Sequence, residues 1–175
     1  MKKAVKILGL SMIVVAMCIM TTNAQEKGDM AVGGSVSVGT GNDFTNIGIG
    51  AKFQYNILDP LRLEGSFTYF LKKDGLGMWD LSAYAHYLFK VGDKIAVYPL
   101  VGLGIMNFSS EEEDFDFDDF DVVTKTNTES KFATSFGGGV DFKLTDKLVF
   151  NVEAKYKIIE SMNRLVLSAG IAYKF

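Results

Sequence analysis

The sequence predicts an all-β fold, an eight-stranded antiparallel up-and-down transmembrane β-barrel, and three observations carry that expectation. Apolar and polar residues alternate with a period of two in eight successive stretches. Aromatic side chains gather near the ends of the apolar face, and tight turns alternate with longer connections. The composition agrees: 18 glycines, 14 phenylalanines and 7 tyrosines against 2 prolines. Aromatics fit pleated surfaces and proline breaks ladders, so this balance suits a continuous sheet better than helices.

The first 24 residues stand apart from the fold. Lys2, Lys3 and Lys6 form a positive head, residues 7–20 are apolar, and Thr22-Asn23-Ala24 supplies the small residues a signal peptidase needs. The apolar stretch is shorter than the roughly 20 residues of a spanning helix. A cleaved signal peptide over 1–24, with cleavage after Ala24, and one barrel domain over 25–175 are therefore expected. Cys18, the only cysteine, leaves with the signal. The mature chain then has no disulfide, thiolate metal site or thiol nucleophile. It is also more acidic than the net −3 of the whole chain, which argues against nucleic acid as a partner.

The expected strands are residues 30–38, 47–55, 61–71, 78–89, 95–106, 132–144, 148–158 and 164–175. Each is near the roughly 9–11 residues of a tilted membrane strand. One face of the first carries Met30, Val32, Gly34, Val36 and Val38, and one face of the second Ile47, Ile49, Ala51, Phe53 and Tyr55. The pattern persists to the end, where Leu165, Leu167, Ala169, Ile171, Tyr173 and Phe175 share a face. No residue of this face is charged in any of the eight. The opposite face holds Lys52, Arg62, Glu64, Asp80, Asp141, Lys143, Glu153, Lys155, Lys157 and Lys174, with His86 and several serines.

A soluble sandwich would show the same alternation with its apolar face inward. The aromatics decide against it. Phe53, Tyr55, Tyr87, Phe89, Phe142, Phe150, Tyr173 and Phe175 fall at one rim, and Tyr69, Trp79, Phe132 and Tyr156 at the other. Two aromatic girdles around an aliphatic band match a bilayer cross-section. Residues 57–60, 91–94 and 145–147 read as tight periplasmic turns. Residues 40–46, 72–77, 107–131 and 160–163 read as outer connections, the third being the one long loop. Lipid offers no partner to an open sheet edge, so the sheet must close. The inward charges are expected to pair with one another. Pro99 lacks a ladder donor and is placed near the start of its strand.

With strands and girdles placed, the chain resembles the small outer-membrane barrel family that includes the OmpA N-terminal barrel and OmpX. Tyr98-Pro99-Leu100-Val101-Gly102-Leu103-Gly104 resembles that family's glycine-rich fifth strand, and Phe136-Gly137-Gly138-Gly139-Val140-Asp141-Phe142 the strand after it. The ending Gly170-Ile171-Ala172-Tyr173-Lys174-Phe175 is similar to the terminal signal read by the barrel-assembly machinery, with Gly170, Tyr173 and Phe175 its marked positions. The resemblance implies the fold, the outer membrane of a Gram-negative cell, and lipid and lipopolysaccharide as surroundings.

Chemistry is sparse. No cofactor is implied, and His86, the single histidine, is expected as a hydrogen-bonded interior residue rather than part of a Ser-His-carboxylate site. The distinctive segment is the run Glu111, Glu112, Glu113, Asp114, Asp116, Asp118, Asp119 and Asp121, interrupted only by phenylalanines. Such a run repels itself and stays solvated. Its carboxylates are also the candidate ligands for weak divalent-cation binding, although the glycine and fixed spacing of a dedicated calcium loop are missing. The loop over 109–130 is where an unknown surface partner would bind. The expected function is a non-enzymatic barrel serving envelope integrity or surface interaction. The alternatives are a narrow porin-like channel and, more distantly, a lipid-modifying enzyme.

Overall fold

The computed structural model describes residues 27–41, 44–73, 76–116, 121–160 and 162–175. The expected signal peptide and Ala24 lie outside these residues, as do Asp118 and Asp119. Nine strands follow in chain order: β1 (Met30–Gly41), β2 (Phe44–Leu58), β3 (Leu61–Lys73), β4 (Leu76–Tyr87), β5 (Phe89–Val91), β6 (Ile95–Asp116), β7 (Asp121–Lys143), β8 (Leu148–Ile159) and β9 (Arg164–Lys174). Every pairing is antiparallel, and β1 bonds to both β2 and β9, which closes the sheet. β4 and β5 are two parts of one barrel stave, since both pair with β6. The result is the expected eight-stave barrel.

The break between β4 and β5 has its cause in Pro99. Pairing with β6 stops at His86↔Leu100 and resumes in the same register at Phe89↔Val97. Pro99 falls in the gap, where its missing N–H costs nothing on that side. Leu88, in the gap, donates its N–H to the Pro60 carbonyl at 2.7 Å, which continues the ladder to β3 by one pair in the same register.

The apolar face points outward along every stave. Val36, Ile49, Leu81, Val101, Leu167 and Ile171 are all at least half exposed, which for a barrel is the surface a bilayer covers. Aromatics pair across strands at both rims. Phe67 and Trp79 lie 6.0 Å apart towards one rim, and Phe142 and Phe150 6.2 Å apart at the other. The rim holding the turns after β2, β5 and β7, together with the described chain end at Phe175, is called the terminal end below.

The opposite end differs from expectation. Residues 107–116 and 121–131 are strand rather than loop: β6 and β7 stay paired from Ile95↔Phe142 out to Asp116↔Asp121 with no register shift. The barrel wall stops earlier, at Ser110↔Leu76 on one side and Ala133↔Ile159 on the other. A two-stranded ribbon therefore projects past the rim. The physical reason is visible in Val122, Val123, Thr124, Thr126 and Thr128, β-branched residues that favour extended backbone. Membrane-face alternation was the wrong guide there, because a ribbon in water has no lipid face to keep apolar.

Candidate functional site: the barrel lumen and the outer ribbon

The lumen is packed in layers. At the ribbon end Phe70, Met78, Met106, Ala133, Ile159 and Val166 form a buried apolar layer, with Phe44, Leu76, Phe108 and Met162 packed against it. Arg164 threads this layer: its guanidinium sits 4.8 Å from the centre of the Phe70 ring, and it donates to Asn46 and to the Met78 sulfur. Sequence reading placed only polar groups inside and missed both the layer and Arg164. The available signal was the pair of adjacent apolar residues at strand ends, Phe70 beside Leu71 and Met78 beside Trp79. Alternation cannot put both members of such a pair outside.

Below that layer, among the described residues, buried charges of opposite sign meet in pairs and small groups. Lys157 donates to Asp80 at 2.6 Å and to Ser82 at 3.1 Å. Glu153 is the hub of the next group: Lys155 lies 2.6 Å from one oxygen, Lys52 3.3 Å from the other, and the Tyr98 hydroxyl donates to it at 2.9 Å. Lys52 also donates to Asn151, and Gln54 to Glu64 at 2.7 Å. Arg62 pairs with Asp141 at 2.6 Å and lies 4.7 Å from the centre of the Tyr98 ring. These are the partners the sequence required without naming. Lys143 and Lys174, expected inside, are half-exposed at the terminal mouth and pair with Asp146 and Asp29. Lys90, omitted from the expected interior, is buried.

Inward glycines clear space for aromatic rings. A side chain at Gly139 would stand 2.6 Å from the Tyr98 ring, and one at Gly102 would overlap Tyr84. The two tyrosine rings fill the lumen because these glycines let them. Tyr84 and Tyr98 in turn pack with Leu88 and Leu100. Among the described residues, the cavities at the terminal mouth and in mid-lumen are small. One cavity at the terminal mouth, beside Leu88, Lys90 and Asp141, has about 30 Å³, and one in mid-lumen, between Lys52, Asp80 and Lys157, about 10 Å³. A single water needs about 10–15 Å³.

His86 is fully buried and stacked on Tyr98, with ring centres 4.8 Å apart and planes at 10°. A ring nitrogen of His86 and carboxylate oxygens of Glu64 and Glu153 lie within 4.8 Å of one another, a grouping of three strands that sequence spacing could not show. The donor set does not suit a metal. Arg62 donates to His86 Nδ1 at 3.1 Å, so the ring proton sits on Nε2 and neither nitrogen offers a free lone pair. Lys52 stands 3.7 Å from Glu64 and 3.3 Å from Glu153, in the position a cation would take. The cluster is an ion-paired core.

The acidic residues stand on the ribbon. Glu111, Glu112, Glu113, Asp114 and Asp116 belong to β6 and Asp121 to β7, in register with Thr126, Lys125, Thr124, Val123 and, for the last two, each other. Their side chains lie outside the described ones. At the terminal rim Gly170 is buried against β1, while Tyr173 and Phe175 face outward, and the Phe175 N–H donates to the Met30 carbonyl at 3.1 Å.

Comparison with known proteins agrees with this architecture. Neisserial surface protein A superposes with a TM-score of 0.65 at 13% identity, covering 84% of this chain and 96% of that one. The attachment invasion locus protein Ail of Yersinia pestis, solved with the heparin analogue sucrose octasulfate, gives 0.60 at 17% identity over 85% and 99%. The N-terminal β-barrel domain of Pseudomonas aeruginosa OprF gives 0.61 at 13% over 86% and 100%. Identities this low speak for the fold alone. No curated protein sequence matches the chain. A closed antiparallel barrel with a lipid-type exterior and an ion-paired interior, matched by the family model over residues 10–175, identifies the chain as a member of the outer membrane protein beta-barrel domain family.

Proposed function

We propose that this protein is a sealed, non-enzymatic outer-membrane barrel that acts through its outer face, in surface interaction, rather than by conducting or catalysing. The observation that carries the reading is the lumen: an apolar layer closes the ribbon end, and paired charges fill the rest down to the terminal mouth. A narrow porin-like channel would need a continuous polar path, and the Phe70–Met106 layer crosses it. A lipid-modifying enzyme would need a nucleophile beside its histidine. His86 instead contacts Arg62 and Tyr98 in the barrel interior.

Export through residues 1–24 with cleavage after Ala24, and insertion by the barrel-assembly machinery through Gly170, Tyr173 and Phe175, belong to this proposal. So does weak divalent-cation binding at the eight carboxylates of residues 111–121, shared with neighbouring lipopolysaccharide by the charge-count logic of weak extracellular calcium sites. The attachment invasion locus protein Ail, which is similar in fold, supports a surface role for this chain. The test replaces residues 109–130 with a short Gly/Ser turn, a change whose loop-closure cost is small. The barrel should keep its heat stability and lose calcium-dependent attachment to cells or lipopolysaccharide. A replacement that leaves attachment intact would sink the surface role; one that unfolds the barrel would make the ribbon structural.

A further inference from the structure

Among the described residues the interior holds more positive charge than negative. Lys52, Arg62, Lys90, Lys155, Lys157 and Arg164 are the buried cations, and Glu64, Asp80, Asp141 and Glu153 the buried carboxylates. All four acids are engaged. Lys52 lies against Glu64 and Glu153, Lys155 against Glu153, Arg62 against Asp141 and Lys157 against Asp80. Among the described residues no carboxylate pairs with Arg164. It is 1% exposed and stands in register with Lys157, a second cation rather than a counter-charge.

The hydrogen bonds repeat this deficit. The guanidinium lies over Phe70 and donates to the Met78 sulfur and to Asn46 Oδ1. The amide nitrogen of Asn46, itself buried, has no partner. A guanidinium carries five N–H and an amide two, so about five donors are left unspent around these two side chains. A buried charge without compensation is expensive, and unmet buried donors add to the cost. Gly39, in register with Asn46, lets the guanidinium lie there, because a side chain at that position would overlap it. The strands keep room for a cation where no side chain supplies its anion.

We propose that Arg164 and Asn46 hold one halide ion, chloride under ordinary conditions, in the apolar layer at the ribbon end. The two side chains bond to each other, so their unspent hydrogens lie within reach of a single ion. The Phe70 ring and the Met78 thioether beside them select a small monovalent anion. Phosphate and sulfate carry more charge and lose more on leaving water. A guanidinium is also more weakly hydrated than an ammonium, which lowers the cost of a dry site. Entry is from the ribbon side, where Phe44, Leu76, Phe108 and Met162 pack on the layer and are only partly buried. The ion would tie β2 to β9 and brace this end of the barrel, whatever the ribbon beyond it does.

The test follows heat unfolding of the purified protein in phosphatidylcholine vesicles by gel migration. Sodium chloride or bromide is compared with sodium gluconate, whose anion is too large for the layer, at equal ionic strength. At about 0.1 M either halide should raise the unfolding midpoint over gluconate by roughly 3 °C or more. Two variants should abolish that difference by opposite routes. Arg164→Met deletes the cation. Asn46→Asp, nearly unchanged in shape, sets a carboxylate beside Arg164. It should unfold in gluconate no earlier than the wild type does in chloride, and gain nothing from halide. Crystals grown in bromide should show an anomalous peak within hydrogen-bond distance of the Arg164 guanidinium. Equal wild-type midpoints in halide and gluconate would overturn the site, and a bromide peak would then be an adventitious ion only. A halide effect that persists in either variant would put the ion elsewhere. An Asn46→Asp protein less stable in gluconate than the wild type would show that Arg164 lacks no counter-charge. A conducting lumen would defeat the sealed-barrel reading without moving any of these readouts.

Discussion

Glu153 carries more of the interior than any other single residue. It accepts from Lys155, Lys52 and Tyr98, and all four side chains are buried. Removing one partner of a buried pair leaves its counter-charge without compensation, which costs about 3–5 kcal/mol. Glu153→Leu should therefore lose stability on that scale in urea unfolding from lipid vesicles. Replacing Glu153 and Lys155 together with apolar residues should cost less than the single change. Equal costs would mean that Glu153 does not act through its charge partners. An exposed pair behaves differently. Lys143 donates to Asp146 at 2.8 Å in the turn before β8 and holds that carboxyl below its ordinary value of 3.8. Its folded pKa is lowered, so the pair's contribution is present above the unfolded value and fades as pH falls through the lowered one. Titration followed by NMR should place Asp146 below 3.8 in the wild type and return it towards 3.8 in Lys143→Ala.

At the scale of strands, the two faces predict opposite tolerances. Ala169 faces lipid in mid-strand on β9, and its neighbour Ser168 is buried beside Glu153. Arginine in place of Ala169 should cost roughly 2–4 kcal/mol of folding in lipid, the usual penalty near the bilayer midplane. A harmless Ala169→Arg would invert the register of the whole stave. Deleting Phe175, whose N–H closes the last bond to β1, should sharply lower outer-membrane abundance while export continues, as quantified in fractionated cells. The register of every stave was legible because lipid demands an uncharged outer face, and a slip of one residue would expose Lys52 or Glu153 to it. The ribbon was not legible, since in water Glu111–Asp116 can pair with residues 121–126 without any apolar alternation. Nor was the apolar layer, because Phe70 and Met78 sit on the face otherwise marked by charge. The ion pairs were foreseen as a need, but their partners were not. Which lysine meets Glu153 depends on the stagger of strands far apart in sequence.

For the molecule as a whole, closure and filling are one argument. Eight staves leave an interior that side chains can occupy. Here they do so with Phe70, Met78 and Met106 at the ribbon end, with Tyr84 and Tyr98 laid over glycines below, and with charges neutralising one another between. Among the described residues, the cavities at the terminal mouth and in mid-lumen, about 30 Å³ and about 10 Å³, have room for a few waters at most. On the proposed reading the barrel is a base that carries the ribbon past its rim. Single-channel recording of the purified, refolded protein in a planar bilayer tests this most directly. A sealed lumen predicts a membrane whose conductance stays at the bare-lipid level after insertion is verified by heat-modifiable migration. Reproducible stepwise conductance from the wild-type protein would contradict it.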